Sequence, residues 1–287
     1  MPTKLDQQIS ESRFLLQNPY AYLDGEGNYA ASSLDGAGYA DSLTTVLSDT
    51  FKPKSHNKPI PYNEIEKIVI NLQRHLYMEQ ESIFGKGVHI EPIDILDPAI
   101  VFGLLGYEFD GEASLAQYRT EEGMAQIAGY FDPVNKYVGI SNQYRRSVQR
   151  FTAAHELGHA VLHGNSVALH RDRPLSGGVP FEGRDQKEKE ADKFATYFLM
   201  PKKLVVAEFE RRFFTTTFEV TDDSAFMLIG KSRNELKMIC RKRLGLATLL
   251  AQCGRYGRGQ IVPMADFFNV SAAAMAIRLE ELGLLKY

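Results

Sequence analysis

The sequence predicts an α+β protein: a compact domain with a small sheet and several helices, followed by a helical C-terminal region. Three observations carry this expectation. Residues 62–83 place Ile65, Ile68, Val69, Leu72, Leu76 and Ile83 on one helical face. Residues 125–130 and 136–141 are β-like runs joined by Asp132-Pro133-Val134-Asn135, the composition of a hairpin turn. Helical runs then follow at 147–163, 186–199 and 204–213, with two more at 262–268 and 271–282.

The elements are expected in order. Residues 1–58 are rich in Gly, Ala, Ser, Asp and Asn and lack sustained periodicity, which points to an acidic, largely irregular arm. Lys52-Pro53 through Lys58-Pro59-Ile60-Pro61 reads as a linker. Pro92 to Leu105 is read as one helix with Asp94 near its start, and Gly106 to Phe109 as extended. Gly164-Asn165 stops the 147–163 helix, and the Gly- and Pro-containing stretch 164–184 is a long loop. Pro201 stops the 186–199 helix. Near the end, Asn269-Val270 makes a turn and Ser271 supplies an N-cap, giving the outline of a helix-turn-helix.

Bulk composition narrows the function classes. A chain of 287 residues with 44% hydrophobic and 24% charged residues has globular composition. A net charge of −3 does not suggest wholesale nucleic-acid binding, but it conceals local asymmetry. Residues 1–50 carry a balance of −5 and residues 231–258 a balance of +7. Two cysteines, Cys240 and Cys253, build neither a disulfide framework nor a Cys-based zinc site. The sequence opens without a basic segment leading into an apolar run, and no stretch has bilayer-spanning length, so a cytoplasmic protein without a membrane partner is expected.

The chemistry concentrates at His155-Glu156-Leu157-Gly158-His159. Histidines four apart lie one above the other on a helix, so both imidazoles reach one ion, and the spacing suits tetrahedral Zn²⁺. Glu156, beside the first ligand, has the position of a general base toward a metal-activated water. Gly158 costs about 1 kcal/mol of helix stability relative to Ala, which makes sense if a metal or another backbone approaches closely there.

A catalytic zinc wants a third protein ligand and one open position. His163, His170, Asp172, Asp185, Glu188, Glu190 and Asp192 are the candidates. A third His six residues after the second, following a Gly turn, would complete another known pattern, but position 165 is Asn165. Glu188 is preferred because it opens the next helix with Asp192 one turn further on the same face. One carboxylate then binds the ion while the other accepts a ring N–H from a ligand histidine. Glu-x-x-x-Asp on a second helix is the gluzincin arrangement. Glu190 is expected to face solvent, and His163 and Tyr197 to line the cleft. The run 136–141 is expected to offer an edge to an extended substrate.

Two segments, Arg150 through His159 and Glu188-Lys189-Glu190-Ala191-Asp192-Lys193-Phe194-Ala195-Thr196-Tyr197-Phe198-Leu199-Met200-Pro201, resemble the ImmA/IrrE family of zinc metallopeptidases. Phe267 to Ser271 and Arg278 to Leu284 are similar to that family's usual ending. The resemblance covers roughly 62–287. It implies a compact gluzincin-like metallopeptidase domain, zinc (or Mn²⁺ in assays) held by His155, His159 and Glu188, and Glu156 as catalytic base. It also implies a regulatory endopeptidase that cleaves a helix-turn-helix repressor encoded nearby, in some members in response to single-stranded DNA. The acidic arm and the long segment 202–260 depart from the family pattern. The chain is thus expected to divide into an arm (1–58), a zincin-like domain (62–213) and a C-terminal helical region (214–287).

Within 231–258, Arg241, Lys242, Arg243, Arg255 and Arg258 are candidate nucleic-acid contacts, with Tyr256 as the aromatic on which a base would stack. The terminal helices make poor DNA readers: Ala272, Ala273, Ala274 and Ala276 leave Arg278 as the obvious polar contact, so a structural or protein-docking role is expected. The rival to the peptidase is a non-catalytic regulator in which the metal is structural and the chain binds DNA or a protein. A closed structural site needs no Glu beside its first ligand.

Overall fold

A computed structural model describes residues 59–85, 90–120, 123–163, 170–172 and 185–287. The expected arm, most of the linker and most of the 164–184 loop lie outside these residues. Helix α1 (Tyr62–Met78) buries the predicted stripe Ile65, Ile68, Val69, Leu72 and Leu76, and a short α2 (Gln80–Phe84) follows it. Where one helix was expected over 92–105 there are two, α3 (Pro92–Ile95) and α4 (Pro98–Leu104). Proline at 98 disfavours helical conformation in the residue before it, so the chain breaks there and restarts. The cap is Asp97, which accepts from Ala99 N, rather than Asp94.

The sheet is mixed. Its order is β1 (Glu108–Ala113), β5 (Tyr137–Ser141), β4 (Gly129–Asp132), β6 (His170–Asp172), and β1 runs parallel to β5 while the other pairs are antiparallel. A separate hairpin pairs β2 (Gln117–Thr120) with β3 (Gly123–Gln126). The β4–β5 turn is the predicted one: Asp132 Oδ1 accepts from Val134 N and Asn135 N at 3.0 Å. Because β5 is paired on both sides, it has no edge to offer a substrate, contrary to expectation. Sequence pattern alone did not reveal that β1, from before the hairpin, closes that side.

Helix α5 (Arg146–Gly158) packs across β4 and β5 and continues into a π-helical turn, His159–His163. Arg150 Nη2 donates to Ile93 O and Leu96 O and so ties α5 to α3 and to the residue after it. Helix α6 (Gln186–Leu199) lies against α5 and α1. Buried Gln73 of α1 donates to Tyr197 O and Phe198 O, satisfying carbonyls that the end of α6 would otherwise leave open.

Helix α7 (Lys202–Phe213) leads into a region for which no individual elements were expected. It holds β7 (Phe218–Glu219), α8 (Asp222–Ile229), α9 (Arg233–Cys240), α10 (Arg243–Ala251), and the two-residue strands β8 (Arg255–Tyr256) and β9 (Gly259–Gln260). Capping boxes at Thr221/Ser224 and Ser232/Glu235 start α8 and α9. The last helices are α11 (Met264–Phe267) and α12 (Ala272–Glu281), the latter capped by Ser271 as expected, and β10 (Leu285–Lys286) pairs with β7. Helix α11 is a single turn. One apolar core runs through both parts of the chain, joining Phe194 and Phe198 of α6 to Phe268, Met275 and Leu279. Among the described residues, no helix is long and apolar enough to cross a membrane.

Candidate metal centre

Helix α5 brings the imidazoles of His155 and His159 to a 4.7 Å centroid separation, both buried. Their Nε2 atoms lie 3.0 Å apart. Glu188, in the first turn of α6, closes the triangle, with Oε2 3.2 Å from His155 Nε2 and Oε1 3.3 Å from His159 Nε2. Bonds of about 2.0–2.1 Å in a tetrahedron place ligand atoms ~3.3 Å apart. Each carboxylate oxygen of Glu188 thus stands at about that spacing from one imidazole, and the His₂Glu donor set suits zinc. The Glu188 side chain keeps 26% exposure, so the face toward solvent stays reachable.

Close contact between α5 and α6 is what allows this. A β-carbon on Gly158 would lie 3.0 Å from Ala191 Cα and 3.2 Å from Ala191 O. Of the two reasons expected for a small residue at 158, the approach of another backbone is the one observed.

The supporting contacts sort the other acidic residues. Asp192 Oδ1 is 2.9 Å from His155 Nδ1, as its position one turn after Glu188 predicted. Asp185 caps α6 through Gln186 N at 2.7 Å. Glu190 is the correction: it is 3% exposed, not solvated. The helical phase put it away from Glu188 and Asp192, but that side of α6 is covered by the π-turn and by the chain at Ile60. His163, expected in the cleft, lies between His159 Nδ1 and Glu190 Oε2, at 3.0 Å from each. The side chains of His170 and Asp172 lie outside the described ones.

Burial pushes the Glu188 pKa upward, but hydrogen bonds and charge from His155 and His159 outweigh it and hold the carboxyl well below the usual range. Glu156 is fully buried on α5. The space it fills is left by Gly129 on β4, where a β-carbon would come within 2.6 Å of Glu156 Oε1. Sequence reasoning missed Gly129; the available signal was a glycine inside a β-like run, which marks close approach of another group.

Tyr197 does not join the centre. It lines a cavity of about 110 Å³ with Glu66, Gln73 and Arg278, on the side of α6 that faces α1 and α12. Burial, with Glu281 adding to it, pushes its hydroxyl up to about 12. Arg278 is 3% exposed, donates to Met200 O, and lies 4.9 Å over the Tyr197 ring, so its guanidinium is engaged in packing rather than presented to solvent. Arg241, Lys242, Arg243, Arg255 and Arg258 are all exposed. The expected stacking partner beside them is not available: Tyr256 is buried edge-on against Phe213 and Phe218.

The peptidase M78 family, described as the IrrE N-terminal-like domain, matches residues 118–218. A protein of Bacillus phage phi105, "Uncharacterized immunity region protein 2", is 32% identical over 104 residues, which is 36% of this chain and 59% of the relative. The chain thus spans about three fifths of the length of that curated relative. No solved structure matches the chain significantly. The 118–218 span contains the three donors, Glu156 and Asp192.

Proposed function

We propose, from the premise that residues 118–218 carry an IrrE N-terminal-like domain and that the chain resembles the ImmA/IrrE family, that this protein is a zinc-dependent regulatory endopeptidase. The observation that carries the reading is the triangle of His155 Nε2, His159 Nε2 and the Glu188 carboxylate, with a glutamate next to the first histidine.

His155, His159 and Glu188 would hold the ion, which when bound polarises a carbonyl and acidifies water. Asp192 accepts the Nδ1 proton of His155 and so turns its Nε2 lone pair toward the centre. Glu156 takes a proton from the attacking water as oxygen adds to the peptide carbon. It returns that proton to the amine nitrogen as the C–N bond breaks. Burial under Gly129 holds that carboxylate in one place on the site helix.

A relative named for a phage immunity region supports a regulatory protease, and the substrate we infer is a helix-turn-helix repressor encoded beside this chain. Cleavage in the cytoplasm, with single-stranded DNA as trigger, completes the proposal. Co-expression with that neighbour and mass spectrometry of the products test it. The wild type should yield two fragments and carry about one zinc per chain. Glu156→Gln should keep the metal and lose at least about 10²-fold in rate. An intact partner under all conditions, single-stranded DNA and Zn²⁺ or Mn²⁺ included, speaks against it.

A second reading, a non-catalytic metal-containing regulator, draws on the exposure of Arg241, Lys242, Arg243, Arg255 and Arg258. It requires nucleic-acid binding that weakens steeply with salt and is unaffected by Glu156→Gln.

A further inference from the structure

Behind His159 runs a second line of buried hydrogen bonds that ends on the backbone at the start of the described chain. His159 Nδ1 meets His163 Nδ1 at 3.0 Å. His163 Nε2 meets Glu190 Oε2 at 3.0 Å, and both side chains are only 4% exposed. The other Glu190 oxygen, Oε1, accepts from Ile60 N at 2.9 Å and from Gln186 Nε2 at 3.0 Å. The π-helical turn His159–His163 is what presents the second imidazole to the first in this way; such insertions are frequent at functional sites.

The direction of the protons follows from the inventory of donors. A carboxylate oxygen only accepts, so His163 donates its Nε2 proton to Glu190. Neutral His163 then has its lone pair at Nδ1, and the proton between the two Nδ1 atoms belongs to His159. That leaves the lone pair of His159 on Nε2, aimed at Glu188 and His155. A buried carboxylate is expensive unless it is fully hydrogen-bonded, and an apolar side chain would fill the same space without fixing a tautomer.

We propose that Glu190 is a positioning residue for the metal centre: through His163 it sets the metal-binding tautomer of His159, and through the Ile60 N–H it makes the grip on the ion depend on where the preceding segment enters the domain. The proposal rests on the metal-site reading above. The backbone of Ile60 is thus two side chains removed from the candidate ligand His159. Withdrawal of the Ile60 N–H from Glu190 removes one of its three donors and loosens His163.

The test is zinc affinity of the full chain, measured by competition with a chromophoric chelator, alongside the visible spectrum of the Co²⁺-substituted protein. Glu190→Gln places an amide N–H₂ or a lone oxygen where two acceptors are needed, and should weaken zinc binding about 10–100-fold and shift the Co²⁺ bands. His163→Phe, which keeps ring volume and removes both nitrogens, should do the same, and the double variant should lose no more than either alone. Ile60→Pro, which deletes the N–H, should weaken binding several-fold while Ile60→Val does not. Wild-type affinity in Glu190→Gln or in His163→Phe overturns the proposal, as does full additivity in the double variant. A wild-type chain that binds no zinc overturns the metal-site reading itself, which is a different outcome.

Discussion

Gly129 and Glu156 share one volume: a β-carbon on the first would stand 2.6 Å from Oε1 of the second and 3.2 Å from its Cγ. The strand thus sets where the proposed base can be. What blocks the β-carbon is the carboxylate end of Glu156 and, at 2.7 Å, the Thr152 methyl, both buried, so both side chains must shift. Gly129→Ala is therefore expected to cost about 1–3 kcal/mol of stability. It should reduce cleavage by about two orders of magnitude, because the base leaves its working position. Zinc stoichiometry should stay unchanged. Rates within a factor of two of wild type would show that the carboxylate's place under β4 is irrelevant to catalysis.

Gly158 presents the opposite case, since its obstacle is backbone. Alanine there gains about 1 kcal/mol of helix propensity, yet its β-carbon meets Ala191 Cα and O at 3.0 and 3.2 Å. Helices α5 and α6 must separate, with an overpacking cost of about 1–3 kcal/mol. As α5 carries the two histidines and α6 carries Glu188 and Asp192, zinc affinity should fall with stability. Thermal melts of the apo and zinc forms check this: the spacing between the two melting temperatures should shrink in Gly158→Ala. An unchanged spacing would mean that the approach of the helices does not set the ligand geometry.

The candidate donor cluster was legible because it depends on local spacing. Four residues bring His155 over His159, and four bring Asp192 over Glu188, whatever packs around them. Glu190 was misread for the complementary reason: helical phase gives the angle of a side chain but not what covers that side. Only the π-turn and the backbone at Ile60, 130 residues away, make the position an interior one. The same limit applies to β5, which lost its edge to β1, and to Tyr256 and Arg278, whose neighbours come from α7, β7 and α6. The elements between 218 and 260 are all short, so none supplied the sustained periodicity that marked α1, α5 and α6.

Arg278 illustrates how a charge that looks like a nucleic-acid contact serves packing instead. Its guanidinium donates to Met200 O at 3.1 Å, pairs with Glu281 and covers Tyr197. Arg278→Met takes this donor from the buried Met200 carbonyl, while Glu281 keeps its pairing with Lys193, and should destabilise by about 2 kcal/mol. Affinity for single-stranded DNA, if measurable, should be unchanged. Replacing Arg241, Lys242 and Arg243 together with alanine should do the reverse, with little effect on stability because all three are exposed. Urea unfolding and a salt-titrated binding assay separate the two. A loss of DNA affinity in Arg278→Met with stability intact would contradict its placement.

Arg212 and Glu208 make the sharpest stability prediction. The Arg212 side chain is 1% exposed, donates to Val262 O at 2.8 Å and Glu208 O at 3.0 Å, lies 4.8 Å over the Phe267 ring, and is ion-paired with Glu208. Burial raises the pKa of Glu208, but the hydrogen bonds from Arg211 and Arg212 prevail and hold it below the usual carboxylate value. A carboxyl whose folded pKa is depressed contributes stability above its unfolded value, about 4.5, and loses it as pH falls through the lower folded value. Glu208→Gln removes that contribution at every pH and strands a buried guanidinium, at about 3 kcal/mol near neutrality. Urea unfolding of the chelator-treated protein, which removes any part played by metal release, should therefore show a wild-type advantage that is constant from pH 7 to pH 5. The advantage should shrink steadily as the pH is lowered below 4.5. A gap that persists undiminished at pH 2–3 would mean that the charge of Glu208 is not what steadies Arg212.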